Sequence, residues 1–529
     1  MALHYGPEKT SVFRSGVFSS YIFSEKGTHN TFNWKPVWGM PMFRKKDQTP
    51  FTADQPAVSA EAIEAAIAGM SDAVSEEYEM KNGQKAVFYY INTIIDEGSL
   101  HELIIKPMIS CGDVTVYDYL KGLLLNVLQI TALDEATNLL MTGAVLVFDP
   151  LHGHWYAIPL ENRLGRQIES SKTETIMYGP KDSFTEQIGL NLSLIRRRLP
   201  LTNLKTERLE IGALSKTSIV LIYIDGLTNP EFVEEAKKRI AAIDFDTMLD
   251  SSQLAELMED HHHTIFPQFQ QTERPDICTY NLSIGKVTIL VDNTPFALNA
   301  PITLFHLFHS FEDYTMRWPI SSFFRWLRYF SFILSIALIP VYVALSTHHY
   351  HMIPLQILNV LIESRSKVPF NPFWEAFLML IVIEFIKEAS VRMPTKSSST
   401  LGVISGIVIG EAAVQAGFVS KVLVVLVGIA TVTSFLIPNY IVAKGYTLIH
   451  FTILLLSACL GFFGIMLGFI GLFVHLNGLT SLRQPYLAPV TPFYPRDWLD
   501  LFIRGPFTWL KKRPAFLHPL KSWRYSKRR

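Results

Sequence analysis

The residues predict an α/β N-terminal soluble region of two subdomains followed by an α-helical multi-pass membrane domain. Three observations carry this. Strand-like and helix-like stretches alternate from about residue 60 to about residue 314. Hydrophobic residues make up 49% of the 529-residue chain, and the excess sits after about residue 325. Within that later part, residues 373–393 read FWEAFLMLIVIEFIKEASVRM. This stretch is long and apolar enough to span a bilayer, yet it carries Glu375, Glu384, Lys387, Glu388 and Arg392.

The ends and the charge balance set few bounds. Lys+Arg and Asp+Glu are 47 each, so net charge favours no partner. Cys111, Cys278 and Cys459 lie too far apart for a metal-ligand spacing or a disulfide framework, which fits a reducing compartment. Residues 1–50 lack a continuous apolar stretch of the signal-peptide kind, so the soluble part is expected in the cytoplasm. Residues 1–55 read as a poorly ordered extension.

The first subdomain is assigned to 56–200. Glu61–Met70 reads as a helix and Ala86–Ile94 as a strand, from its aromatic and β-branched content. Asp118–Leu128 and Asp134–Met141 are amphipathic helices. Ala144–Phe148 and Trp155–Leu160 are strands, and Ser183–Arg197 is a helix.

The second subdomain covers 201–318. Ser218–Tyr223 (SIVLIY) has the continuous apolar run of a buried strand. Asn229 and Pro230 then supply an N-cap and a first helical residue. Glu231, Glu234 and Glu235 precede Lys237, Lys238 and Arg239, which complements the helix dipole. Ser252–Asp260 is a further helix. Lys286–Val291 and Pro295–Asn299 form a hairpin around Asp292, Asn293 and Thr294.

The transmembrane domain is assigned to 319–478. Its apolar candidates are Leu327–Leu345, Phe373–Met393, Leu401–Phe418, Val422–Ile437 and Tyr446–Leu476. Met352–Ile362 could lie in the interface or re-enter. The last candidate is long enough to tilt, or to break at Gly461 or Gly464. Residues 479–529 form a basic tail, expected in the cytoplasm by the positive-inside rule. With both ends on one side, an even number of crossings is required. The Gly/Ala-rich third candidate is therefore expected to be re-entrant or half-length. Trp498, Trp509 and Trp523 make the tail a candidate for binding anionic headgroups.

Several groups are candidates for function. At 100° per residue Glu384, Glu388 and Arg392 share a helix face, Lys387 is within reach of Glu384, and Glu375 points away. These residues, with Glu411 in the third candidate, either line a polar path or form a salt-bridge network that locks helices together. Thr272, Glu273, Arg274, Pro275 and Asp276 read as a loop between a helix and a strand. They form either a coupling contact or a turn with a solvated ion pair, and spacing favours the turn. His261–His263 is a histidine run at a helix end and lacks a fourth metal ligand. Pro438 and Asn439 break a helix. No phosphate-loop, nucleophile-elbow, zincin or C-x-x-C signature is present, so no enzyme, cofactor or nucleic-acid partner is expected.

Six blocks then carry a resemblance: YIDGLTNPEFVEEAKKRIAAIDFD, FPQFQQTERPD, GKVTILVDNTPFALNAP, FEDYTMRWPISSFFRWLRYFSF, PFWEAFLMLIVIEFIKEASVRMP and IGEAAVQAGFVSKVLVVLVGIATVTSFLIPNY. In order and spacing, over about Leu204–Pro519, they are similar to the GerA-type spore germination proteins, the A subunits of germinant receptors. The resemblance implies a nutrient-sensing membrane subunit in the inner membrane of the endospore. It implies work with a permease-like B subunit and a lipoprotein C subunit, contact with membrane lipids, and an oligomeric, germinant-gated ion channel. Lys387 departs from the family's acid- or amide-rich helix and leaves the sign of the conducted ion open. The alternatives are an accessory GerA-like paralogue of the dipicolinate-release channel and a stand-alone secondary transporter. The absence of an internal repeat among the apolar candidates speaks against the transporter.

Overall fold

The computed structural model describes residues 58–112, 114–123, 126–162, 171, 174, 176, 178–392 and 410–524. The expected N-terminal extension lies outside them, as do residues 401–409 of the third apolar candidate.

The first sheet domain opens with α1 (Ala60–Ile67), capped by the Ser59 side chain. Strands β1 (Ala73–Glu79), β2 (Lys85–Ile91), β3 (Leu128–Ile130), β4 (Ala144–Asp149) and β5 (His154–Pro159) follow, with α2 (Val116–Gly122) and α3 (Leu133–Met141) between them. They form an antiparallel sheet in the order β1-β2-β4-β5-β3. Phe88 and Tyr90 face one core with Val145 and Val147, while Tyr89 and Ile91 face another with Leu146 and Trp155. Burial on both faces explains why these strands read as near-continuous apolar runs rather than alternating ones.

The second sheet repeats this plan. Helix α4 (Ile188–Arg198) leads into β6 (Leu204–Ile211) and β7 (Thr217–Ile224). Then come α5 (Pro230–Ala241), α6 (Ser251–Met258), β8 (Gln270–Thr272), α7 (Pro275–Ile284), β9 (Val287–Val291) and β10 (Ala297–Ala300). The sheet order is β6-β7-β9-β10-β8, again antiparallel. In both sheets the helix between the third and fourth strands stops at a left-handed glycine, Gly143 (φ 93°) or Gly285 (φ 101°). Asp134, Leu140 and Gly143 stand the same distance ahead of Asp276, Leu282 and Gly285. The soluble region is therefore one ββαβαββ unit used twice.

Two boundaries differ from the sequence assignment. Helix α4, assigned by sequence to the first subdomain, packs Leu192, Leu194 and Ile195 against Leu204, Val220 and Ile222 of the second sheet. Residues 479–524, expected as a tail on a membrane surface, instead fold onto the second sheet. Leu482, Ala488, Phe516 and Leu517 join its core beside Phe232 and Ile289. The two sheet domains are tied by a buried pair, Arg196 Nε to Asp72 Oδ2 at 2.5 Å, with Thr206 Oγ1 donating to Asp72 Oδ1 at 2.9 Å.

The helical part comprises α8 (Trp318–Thr347), α9 (Leu355–Arg365), α10 (Pro372–Arg392), a short Gly410–Gln415 helix, α11 (Lys421–Ser434), α12 (Tyr440–Leu460) and α13 (Phe462–Gly478). Among the described residues, α8 and α12 are long and apolar enough to cross a membrane, and α11 and α13 are shorter apolar helices. Helix α9, expected as an interfacial or re-entrant stretch, buries none of its residues. The last apolar candidate is two helices, because the chain reverses at Gly461 (φ 60°). In that hairpin α13 lies directly on α12: a Cβ on Gly464 would run into the Leu456 carbonyl oxygen, and one on Gly468 would sit 2.9 Å from Ile453. Helix α12 starts beside the soluble region, with Gly445 against Ile265, and its far end brings Gly461 against His348 and His349 after α8.

Candidate functional site

The Thr272–Asp276 block is not a solvated loop. Thr272 ends β8, Arg274 stands at the N-cap position of α7 and Pro275 is its first residue, where a fixed φ and a missing N–H cost nothing. Arg274 donates to both Asp276 carboxylate oxygens, at 3.1 and 2.5 Å, and the two side chains are 2% and 7% exposed. It also reaches the Pro180 carbonyl at 3.2 Å and lies over the Phe311 ring. Thr272 Oγ1 donates to Glu174 at 2.5 Å. Burial pushes the Glu174 carboxyl up to about 7, against the opposing Thr272 bond and Arg274 charge. The block thus joins the segment between the two sheets to the stretch leading into α8.

That stretch ends in a buried charge network which the sequence reading did not single out. Arg325 and Arg328 stand at i,i+3 near the start of α8 and so share a face. Arg325 Nε donates to Asp313 Oδ2 at 3.2 Å, and Arg328 donates to Asp313 Oδ1 and to the Phe308 carbonyl. Arg325 Nη1 reaches the Asp500 backbone carbonyl at 2.5 Å and its carboxylate at 3.3 Å. Tyr280 on α7 donates to Asp500 Oδ2 at 3.2 Å, and Tyr314 donates to the same oxygen at 3.1 Å. Burial, and then the Asp500 charge, hold both phenols above their ordinary range, so they remain donors. Four parts of the chain meet here: the second sheet domain, the linker, α8 and the C-terminal segment. The available sequence signal was the pair of arginines in the first turns of an apolar helix.

The charges of helix α10 fall into two groups. Glu375 is fully buried. It accepts from the Ser420 backbone N–H at 2.6 Å and lies 3.6 Å from Arg365. At the other end Lys387 lies 2.9 Å from Glu384 and donates to the Tyr446 hydroxyl at 2.6 Å. Thr447 donates to Glu384 at 3.3 Å. Glu388 pairs with Arg392 at 2.7 Å and with Lys444 at 2.8 Å. These contacts tie α10 to α12. Glu411 is exposed and accepts from Gln415. Asn439 caps α12, its side chain accepting from the Val442 N–H at 3.1 Å, just after Pro438. His261–His263 lie in the turn after α6, and no His/Cys/Asp/Glu group among the described residues has the geometry to hold a metal.

A family match and curated relatives point to one group. The family described as Bacillus/Clostridium GerA spore germination protein matches residues 61–516. The spore germination protein GerQA of Bacillus cereus is 36% identical over 447 residues, covering 84% of this chain and 90% of its own length. The spore germination protein KA of Bacillus subtilis (strain 168) is 36% identical over 431 residues, covering 80% of this chain and 79% of its own. The crystal structure of the N-terminal domain of the A subunit of the Bacillus megaterium spore germinant receptor GerK3 is 27% identical. It covers 46% of this chain and 92% of that one, with a TM-score of 0.36. With the family match spanning nearly all of the two sheet domains, the helices and the C-terminal segment, the chain belongs to the GerA family of spore germination proteins.

Proposed function

We propose that the chain is the A subunit of a nutrient germinant receptor, acting in the spore's inner membrane as a subunit of an oligomeric, germinant-gated ion channel. The Asp313–Arg325–Arg328–Asp500 network carries this reading. Charges desolvated at this depth resist separation, so a shift of the second sheet domain is transmitted to α8 rather than absorbed in a loose linker. Helices α8 and α12 supply apolar length for crossing, and Phe323, Phe330, Ile333, Leu448 and Leu455 present apolar side chains outward. The return of the C-terminal segment to the second sheet supports a common side for both, in this reading the spore core. A permease-like B subunit would hold the germinant, and a lipoprotein C subunit would complete the receptor. Glu384, Lys387 and Glu388 would tune the ion path, with the Thr272–Asp276 block coupling the soluble region to it.

The test is reconstitution of the chain with its partner subunits in planar bilayers. Germinant-dependent current is expected, with altered ion selectivity in Glu384→Gln and Lys387→Met. Absence of current with a germinant-responsive complex would remove the channel role. Unchanged selectivity in both variants would leave these residues as helix-to-helix ties.

A further inference from the structure

Between α7, the linker and the C-terminal segment lies a cavity of about 60 Å³. That is room for about four or five waters, or for one compact ion, and too little for a nutrient of several rings. Its charged lining is unbalanced. Arg496, Lys512 and Arg524 face Asp497 and Asp500, with the neutral His306 beside them. Both carboxylates are already committed: Asp497 accepts from the Ala515 and Phe516 N–H groups at 2.7 and 3.2 Å, and Asp500 takes Tyr280, Tyr314 and Arg325. Among the described residues no carboxylate lies within ion-pair distance of Arg496, Lys512 or Arg524; Arg524 bonds to Tyr280 and feels the Asp500 charge, and Lys512 lies over the Trp523 ring. The Arg524 Nε is buried without a hydrogen-bond partner. Two residues beyond the lining's Ile284 stands Lys286, fully buried, its amine also without a hydrogen-bond partner, and burial lowers its pKa to about 7. It is close enough for its charge to act on His306, which burial and that charge keep neutral.

A buried cation without a partner is costly, which is why burial leaves Lys286 partly neutral; an anion beside it would restore its charge. We propose that this cavity binds a small oxyanion of the phosphate class, held by Arg524, Lys512 and Arg496 and balanced by Lys286. Two sources share this chemistry: a free oxyanion and the phosphate of a lipid headgroup. Because Asp500 lines the cavity and also holds Arg325, occupancy bears directly on the ties at the foot of α8. The site does not depend on the channel reading, since its readout is stability and not current.

The experiment is thermal unfolding of the full chain in detergent, titrated with inorganic phosphate against chloride at fixed ionic strength. Phosphate stabilises most folded proteins by exclusion, without saturating, so the expected result is a saturating rise in melting temperature. Arg524→Gln should abolish the rise, and Arg496→Gln, on the exposed rim where folding is not at stake, should weaken half-saturation about tenfold. Lys286→Met should melt higher without phosphate and gain less from it. Repeating the titration in phosphatidylglycerol vesicles separates the sources. A lost increment means the headgroup occupies the site, and a retained one means a free oxyanion does. A non-saturating rise, or one equal in wild type, Arg496→Gln and Arg524→Gln, overturns the proposal.

Discussion

The guanidinium of Arg325 lies 3.3 Å from the carboxylate of Asp500, joining the first turns of α8 to a segment 175 residues further along the chain. Asp313 holds the same arginine from the other side, and Arg328 with it.

Asp313→Asn should be among the most damaging single changes in the soluble half of the junction. It leaves two buried arginines short of a carboxylate, and breaking such a pair costs about 3–5 kcal/mol. Denaturant unfolding in detergent would register this. A loss below about 1 kcal/mol would mean water reaches the network.

Glu174 gives a pH dependence with a definite sign. Its folded pKa, raised by burial to about 7, stands above the ordinary 4.5. The neutral acid therefore contributes stability that is complete below pH 4.5 and is lost as pH rises through 7. Melting curves should fall between about pH 5 and pH 8 in wild type, and the fall should be smaller in Glu174→Gln. Parallel curves for the two proteins would assign the dependence elsewhere.

The α12–α13 hairpin offers a paired test. Gly464→Ala drives a methyl group into the Leu456 carbonyl and should cost about 1–3 kcal/mol or more, as overpacking does. Gly471 has open space at its Cβ position, so Gly471→Ala should be neutral or gain up to about 1 kcal/mol. Equal effects would mean the helices are not in contact as described.

The tie between the sheet domains is open to a double-mutant cycle. Asp72→Leu and Arg196→Met should each destabilise by about 3 kcal/mol, while the double variant recovers much of the loss, because an unpaired buried charge is worse than none. Burial opposes ionisation of Asp72, but Arg196, Thr93 and Thr206 together hold it below the usual carboxylate range. Strictly additive losses would show the two groups do not interact.

Sequence pattern was most legible where burial was two-sided. Strands β4, β5, β7 and β9 announced themselves as apolar runs, and α5 by its Asn229–Pro230 start. Strands β1 (AVSEEYE) and β6 (LKTERLEI) escaped because they are sheet edges, whose charged, half-exposed residues resemble a polar loop. Pro275 looked like a turn because a proline that opens a helix and one that closes a loop read alike without the fold. Within α10 the i,i+3 and i,i+4 pairs were visible, since helical spacing is local. The partners Tyr446, Lys444 and Ser420 were not, because they come from other helices. The C-terminal segment is dominated by its positive charge, and the residues it lends to the second sheet's core, Leu482, Ala488, Phe516 and Leu517, follow no period.

Those last residues have a bearing on how the protein is made. The first sheet closes on side chains that all precede residue 161, so it can settle while translation continues. The second sheet is different: Phe516 and Leu517 seal its core, and every apolar helix is synthesised before they emerge. Its packing is finished only after the helices have been delivered to their place, so the soluble half cannot mature fully ahead of the apolar half.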